Sequence, residues 1–324
     1  MQTHPERRAS GHLNAKLKHY YYQVYGMVVE SEIELPELVP ASGGLPEVSI
    51  RFGHVPAQLE GAIGDWSWCA ASRSEFVFTI DGVARYHVAQ GKEIIVERRM
   101  GLDSAVPPAD LRLWLLGSAF GALLHQRGLL PLHVSAVKAP SGVWAFTGES
   151  GEGKSTLAGF LHRRHGWELV SDDVSAVEQS ADAPVIHPGP RKLKLWADAL
   201  SHLELEEYES VRDLSNTDKF QLYLTDDRFY RAERLTALVI LESAEADGAA
   251  EIEALKGVQA FNACVSAVYR PYMESWFKLP AQRLNDLAQL CRTTRVVRFR
   301  RPRSLRDFES NLKPLIDLMT GVDR

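Results

Sequence analysis

"FTGESGEGKSTLAGFLHRRHGWELVSDDV", residues 146–174, holds a glycine-rich loop, a lysine, a Ser-Thr pair and two adjacent aspartates. Gly148-Glu149-Ser150-Gly151-Glu152-Gly153-Lys154-Ser155 fits G-x-x-x-x-G-K-[ST] in full, and Thr156 extends the stretch that would face a nucleotide. The context fits as well. "VWAFT" reads as a strand entering the loop, and "STLAGFLHRRHG" as an amphipathic helix leaving it and closed by Gly166. Glycines let successive backbone N–H groups converge on phosphate oxygens, and the helix N-terminus adds partial positive charge at the same point. In such a loop the lysine reaches the β- and γ-phosphates and the serine hydroxyl faces Mg²⁺. The stretch therefore predicts a bound nucleoside triphosphate with its magnesium, ATP being the expected nucleotide.

After the helix, "WELVS" predicts a strand lying beside the loop's own strand and parallel to it. That places Asp172 and Asp173 at the sheet edge where α/β proteins bind ligands. Two acids there suggest a division of labour, one holding the metal shell and the other taking a proton from an attacking hydroxyl. Glu242, ending the run "LTALVILE", is a rival for the metal shell, and sequence context prefers Asp173. Upstream, "LPLHVSAVKAPSGVWAFTG" reads as two strands around Ala139-Pro140-Ser141-Gly142. Counting outward from Ala139 opposite Gly142, the register sets His133 against Gly148.

The remainder of the chain frames this centre. At 324 residues, one large or two modest domains are expected, since domains run to roughly 100–200 residues. Hydrophobic residues make up 45% and charged residues 24%, an ordinary globular composition. A net charge of −5 supplies no basic field for nucleic acid. Cys69, Cys264 and Cys291 lie far apart without CxxC spacing, which points to free thiols and a cytoplasmic setting. The apolar run from Leu113 to Leu124 is shorter than the ~20 residues of a membrane span, so no membrane association is expected.

Residues 1–18 carry no apolar signal segment and are expected to be a flexible tail. From 19 to 106 the apolar period is near two, as in "YYYQVYGMVV", "EFVFTI" and "EIIVERR", which predicts a small antiparallel β module. Residues 107–324 form the expected P-loop domain, so the predicted class is α/β with an added β module. Within it, "RKLKLWADAL" predicts a strand entering a helix. "TRVVRFRR" predicts an edge strand with an arginine face, and "SLRDFESNLKPLIDLMTG" a terminal helix capped by Ser304. Seven arginines and no acid lie between Arg292 and Arg306, a solvated face or a surface for acidic peptide or phosphate. Arg191, Lys192 and Lys194, one short segment after the aspartates, are better candidates to steady a transferred phosphoryl group.

"LHVSAVKAPSGVWAFTGESGEGKST" followed by "LVSDDV" resembles the catalytic domain of bacterial HPr kinase/phosphorylase. The resemblance is nearest to the HPr kinase-like serine kinases, some of which belong to lasso-peptide gene clusters and phosphorylate a precursor peptide. It covers residues 133–174 at motif level and implies an HPr kinase-type core. It makes Asp172 the base that takes the acceptor serine's proton, Ser155 and Asp173 ligands of Mg²⁺, and His133 a polar partner of the acid or the phosphate. The longer signature that supports phosphorylase activity in HPr kinases is not matched here, so kinase activity is what the resemblance carries. The expected partner is a peptide or small protein with an acceptor serine, and a homo-oligomer stays open. Two other readings stay open beside it: a nucleotide-binding regulator or ATPase, and a small-molecule kinase.

Overall fold

The computed structural model describes residues 18–98, 108–180, 182–204, 209–210, 219–224, 231–245, 248–304 and 306–321. The expected tail lies outside these residues, apart from Lys18. The alternating segments of the N-terminal part form nine strands in one sheet. Its centre runs Tyr20–Val24, Met27–Ser31, Val48–Phe52, Glu93–Arg98, Ala84–Ala89 and Glu75–Ile80. Two of its pairings are parallel, Met27–Ser31 with Val48–Phe52 and Val48–Phe52 with Glu93–Arg98. The module is thus larger than expected and mixed rather than antiparallel. The reason is connectivity: the chain between Ser31 and Val48 crosses over instead of turning back, and period-two patterning is the same for either direction.

One face of this sheet is covered by the helical stretch residues 108–126. It comprises Pro108–Trp114, a π-helical turn Leu115–Ala119, and Phe120–Gln126. Leu111, Leu115, Phe120 and Leu124 enter the same buried cluster as Phe76, Tyr86 and Ile94 of the sheet. The stretch opens the expected P-loop domain, yet it buries its apolar face against the N-terminal module.

The second sheet holds the loop. Ser135–Ala139 and Gly142–Thr147 form the predicted hairpin, with Ala139 opposite Gly142 and Ser135 opposite Phe146. The hydroxyl of Thr147 reaches the carbonyl of His133 at 3.3 Å, which carries the register to the loop's threshold. Glu168–Ser171 runs parallel in direction to Gly142–Thr147 but is not its neighbour. It pairs with Ser135–Ala139, which lies between them. The direct parallel neighbour of the loop strand is Glu233–Ala244. Ser135–Ala139, the strand that precedes the loop strand, takes the adjacent place through a tight hairpin and displaces the strand that follows the helix.

Arg295–Pro302 pairs with Glu233–Ala244 on one side and Glu251–Ala254 on the other, so it is an inner strand and not the expected edge. Its arginines are matched by Glu242 and Glu253: Arg298 donates to Glu242 at 2.9 Å and to Glu253 at 2.6 Å. The terminal helix spans Phe308–Thr320 with Asp307 at its N-cap. Ser304 accepts from the Asp307 N–H at 3.2 Å within a preceding turn, so its cap-like bond forms one turn ahead of the helix. Among the described residues all three cysteines are free, and no helix is long and apolar enough to cross a membrane.

Candidate functional site

The loop leaves its strand at Gly148, whose φ of 147° and whose contact with the carbonyl of Leu241 leave no room for a side chain. Gly151 and Gly153 also have positive φ, and Gly153 caps the helix Lys154–His165 in the left-handed conformation. Ser150 and Gly151 stand exposed at the rim, whereas Glu152, Lys154 and Thr156 are buried. The ammonium of Lys154 lies inside the curve of the loop, donating to the carbonyls of Gly148 at 2.8 Å and Glu149 at 3.2 Å.

Arginines from the end of Arg295–Pro302 and just beyond it brace the loop. Arg301 donates to the backbone carbonyl of Glu152 at 3.1 Å, and the Glu152 carboxylate is ion-paired with Arg303 and accepts from Ser243 at 2.9 Å. Part of the expected arginine face is therefore built into the wall of the site.

The strand Glu168–Ser171 ends immediately before the aspartates, and Asp173 takes a φ of 76°. A non-glycine residue there costs roughly 1–2 kcal/mol, and the turn is what lets neighbouring side chains reach one cavity. Tyr25 of the N-terminal module supports the turn, donating its hydroxyl to the carbonyl of Val174 at 3.0 Å.

The two carboxylates end in different surroundings. Asp172 is buried; its Oδ1 accepts from Ser135 at 2.5 Å and from Ser155 at 2.8 Å, and its Oδ2 accepts from the Lys194 N–H at 2.9 Å. Burial pushes its carboxyl above the usual carboxylate range, against the pull of these donors. Asp173 faces Lys194 Nζ at 3.0 Å and His133 Nε2 at 3.6 Å. Burial disfavours its charge too, but Lys194, His133 and Lys192 outweigh that and hold it well below the ordinary range. Partial burial lowers His133 despite the attraction of Asp173, which favours its neutral form.

These groups line one cavity of about 380 Å³ together with loop residues 150–156. Lys194 lines it, whereas Arg191 and Lys192 do not: Lys192 is buried behind, and burial lowers it to about 8. Glu242 is absent from the lining and accepts from Arg298 and Arg300. Ser135, Trp196, Asp198 and Phe308 are lining residues that sequence reading missed, while Arg301 and Arg303 come from the arginine run it raised only as a group. Ser135 had a signal, because it stands two residues after His133 and strand alternation sends both to one side. Trp196 and Phe308 had none, since only packing brings their elements to the loop.

Among the described residues no group of three or more His, Cys, Asp or Glu could hold a metal by itself. A magnesium ion suits the donors nonetheless. It keeps several waters, binds one or two protein oxygens and takes the rest from phosphates, and the Ser155 hydroxyl, backed by the Asp172 carboxylate, supplies a hard oxygen beside the loop.

No family model and no curated protein matches the chain. Among solved structures, the Hpr(Ser) kinase/phosphatase from Coxiella burnetii matches at 12% identity over 59% of this chain and 94% of its own, with a TM-score of 0.26. A likeness of that size leaves the site to be read from its own geometry.

Proposed function

We propose that the chain is a Mg²⁺-ATP-dependent phosphotransferase that moves the γ-phosphate to the serine hydroxyl of a peptide or small protein. The observation that carries this reading is the meeting of a complete phosphate loop and a His133–Asp173 pair in one cavity. The loop's N–H groups, the helix N-terminus and Lys154 bind and orient the phosphates, which is most of what phosphoryl transfer asks of a protein. Magnesium, when bound, neutralises charge on the phosphate oxygens.

The geometry favours an exchange of the roles expected for the aspartates. Supporting it is the Ser155 hydroxyl, which donates to Asp172 and so turns its lone pairs outward toward a hard cation. Asp172 also has its oxygens engaged by Ser135 and the Lys194 N–H, leaving little for an external proton. The lowered pKa of His133 favours its neutral, proton-accepting form, and Asp173, held anionic by Lys194, orients the imidazole and balances the charge it gains. This pair takes the acceptor's proton as its oxygen bonds to phosphorus and the bond to the departing ADP oxygen breaks. Lys194 holds Asp173 in place and offers positive charge beside the transferred group.

Incubation of the purified chain with Mg²⁺ and γ-labelled ATP tests the reading. Label on a serine peptide supports it. Label released only as free phosphate, or carried to a metabolite, replaces it with the ATPase or the small-molecule kinase. The family resemblance makes a lasso-type precursor peptide the acceptor to try first.

A further inference from the structure

A continuous path of rings and one guanidinium leads from the catalytic pair to the protein surface. The ring of Tyr269 stands edge-on to His133 at 6.1 Å. Tyr269 can sit there because Gly121 faces it: a Cβ at that glycine would lie 2.5 Å from the ring. Arg270 donates to the Tyr269 hydroxyl at 3.0 Å and to that of Tyr272 at 2.8 Å. Tyr272 packs edge-on against Trp276 at 5.3 Å and Trp68 at 6.5 Å, and Trp276 lies 5.1 Å from Trp66.

Two features of this path are not explained by folding. Trp66, Trp68 and Tyr272 are 49%, 40% and 38% exposed, although the buried Trp276 beside them shows that the fold can cover such rings there. Large aromatic side chains gathered in one exposed patch mark an interaction surface. Arg270 is the second feature. It holds a φ of 46°, a conformation disfavoured for any residue with a side chain, and it has no carboxylate partner among the described residues. Its charge sits between the patch and the catalytic pair, against the hydroxyls of Tyr269 and Tyr272 and with no acid among the described residues to pair it.

We propose that this patch docks the acceptor: a peptide that lays a large apolar side chain on Trp66, Trp68 and Tyr272 and sets a carboxylate against Arg270, bringing its serine to His133 and Asp173. The proposal rests on the phosphotransferase reading above. The chain of contacts from His133 through Tyr269 to Arg270 and Tyr272 favours a substrate over a remote partner, and the pairing of apolar rings with one cation at the catalytic end sets the chemistry of that substrate. Tryptophan, tyrosine and arginine are also the residues that carry most binding energy at protein surfaces.

The test uses the full-length protein, Mg²⁺-ATP and a degenerate library of serine peptides in which one position at a time is fixed as Trp, Leu, Glu or Lys. The wild type should favour Trp or Leu at one position and Glu at a position nearer the serine, each by about tenfold over Lys. The double variant Trp66→Ser/Trp68→Ser should lose the apolar preference, and Arg270→Gln the preference for Glu. Mg²⁺-ATP affinity by calorimetry should stay unchanged in the tryptophan variant, since neither ring lines the cavity, while the melting temperature falls for the part of each ring that packs on Trp276 and Tyr272. Unaltered peptide selectivity in that variant overturns the docking surface while leaving the kinase standing. A change of oligomeric state with selectivity retained also overturns it and makes the patch a contact between copies. A wild type that binds Mg²⁺-ATP and labels no library peptide removes the phosphotransferase reading, and the docking surface with it.

Discussion

Asp172→Asn separates the two possible divisions of labour between the aspartates. The amide is the same size as the carboxylate but has one accepting oxygen and one donating nitrogen. The backbone N–H of Lys194 can only donate, so the amide oxygen must take that place. The amide nitrogen then points at the oxygens of Ser135 and Ser155, and both hydroxyls must turn round to accept. All three contacts survive in neutral form, each weaker than its charged counterpart. Hydrogen bonds to charged groups are worth about 1.5–3 kcal/mol against about 1 for neutral ones, and part of the difference is returned because a charge is no longer buried. The fold should lose about 1–2 kcal/mol.

The larger effect falls on the metal. In the variant Ser155 accepts from the amide, which occupies one of the lone pairs that a cation would use, and the site loses a negative charge. Mg²⁺-ATP should bind about 10–100-fold more weakly, about 1.4–2.8 kcal/mol, while ATP in the presence of chelator binds as before. Calorimetry with and without Mg²⁺ reads both quantities, and a thermal melt reads the stability. Wild-type affinity for Mg²⁺-ATP together with a 10²–10⁴-fold loss of transfer would refute the reasoning and return Asp172 to the role of base.

Asp173→Asn should show the opposite pattern, near-normal Mg²⁺-ATP binding with transfer reduced about 10²–10⁴-fold; equal loss of binding in both variants would make the pair a joint metal site. The rate should fall on acidification, with a midpoint below pH 6.5, because protonating His133 removes an acceptor and burial pushes its titration down; a midpoint above 6.5 contradicts this. Lys154→Ala should lower transfer at least 10²–10³-fold with an unchanged circular dichroism spectrum, and unaltered turnover would remove the phosphate-loop assignment. Glu242→Gln should keep most activity and lose at most about 1 kcal/mol, since its partners are Arg298 and Arg300 and it lies off the cavity; a loss as large as that of Asp172→Asn would make Glu242 the metal-shell acid. Buried His125, lowered to about 3 by burial and by Lys278 and Arg283, stays neutral in the fold while the unfolded chain protonates near 6.5. Stability is therefore full above pH 6.5 and falls by about 2 kcal/mol at pH 5; denaturation midpoints at pH 7.5 and 5 should differ less in His125→Gln than in the wild type.

What the sequence determined by itself was local. A glycine-rich octet between an apolar strand and an amphipathic helix can hardly fold otherwise, because the glycines permit the positive φ values and the helix start fixes the N–H directions. The hairpin register from Ala139 opposite Gly142 was likewise legible, since a tight turn propagates pairing outward residue by residue. Neighbour order in the sheet was not. The hairpin strand took the place beside the loop strand, Arg295–Pro302 became an inner strand, and two parallel pairings entered the N-terminal sheet. Alternation records which face of a strand is buried and is indifferent to which strand lies alongside. Only tertiary packing could set Ser155 against Asp172 and leave Asp173 to His133 and Lys194. Two adjacent acids are interchangeable as letters, and their different surroundings are set by donors arriving from segments 20 to 40 residues away.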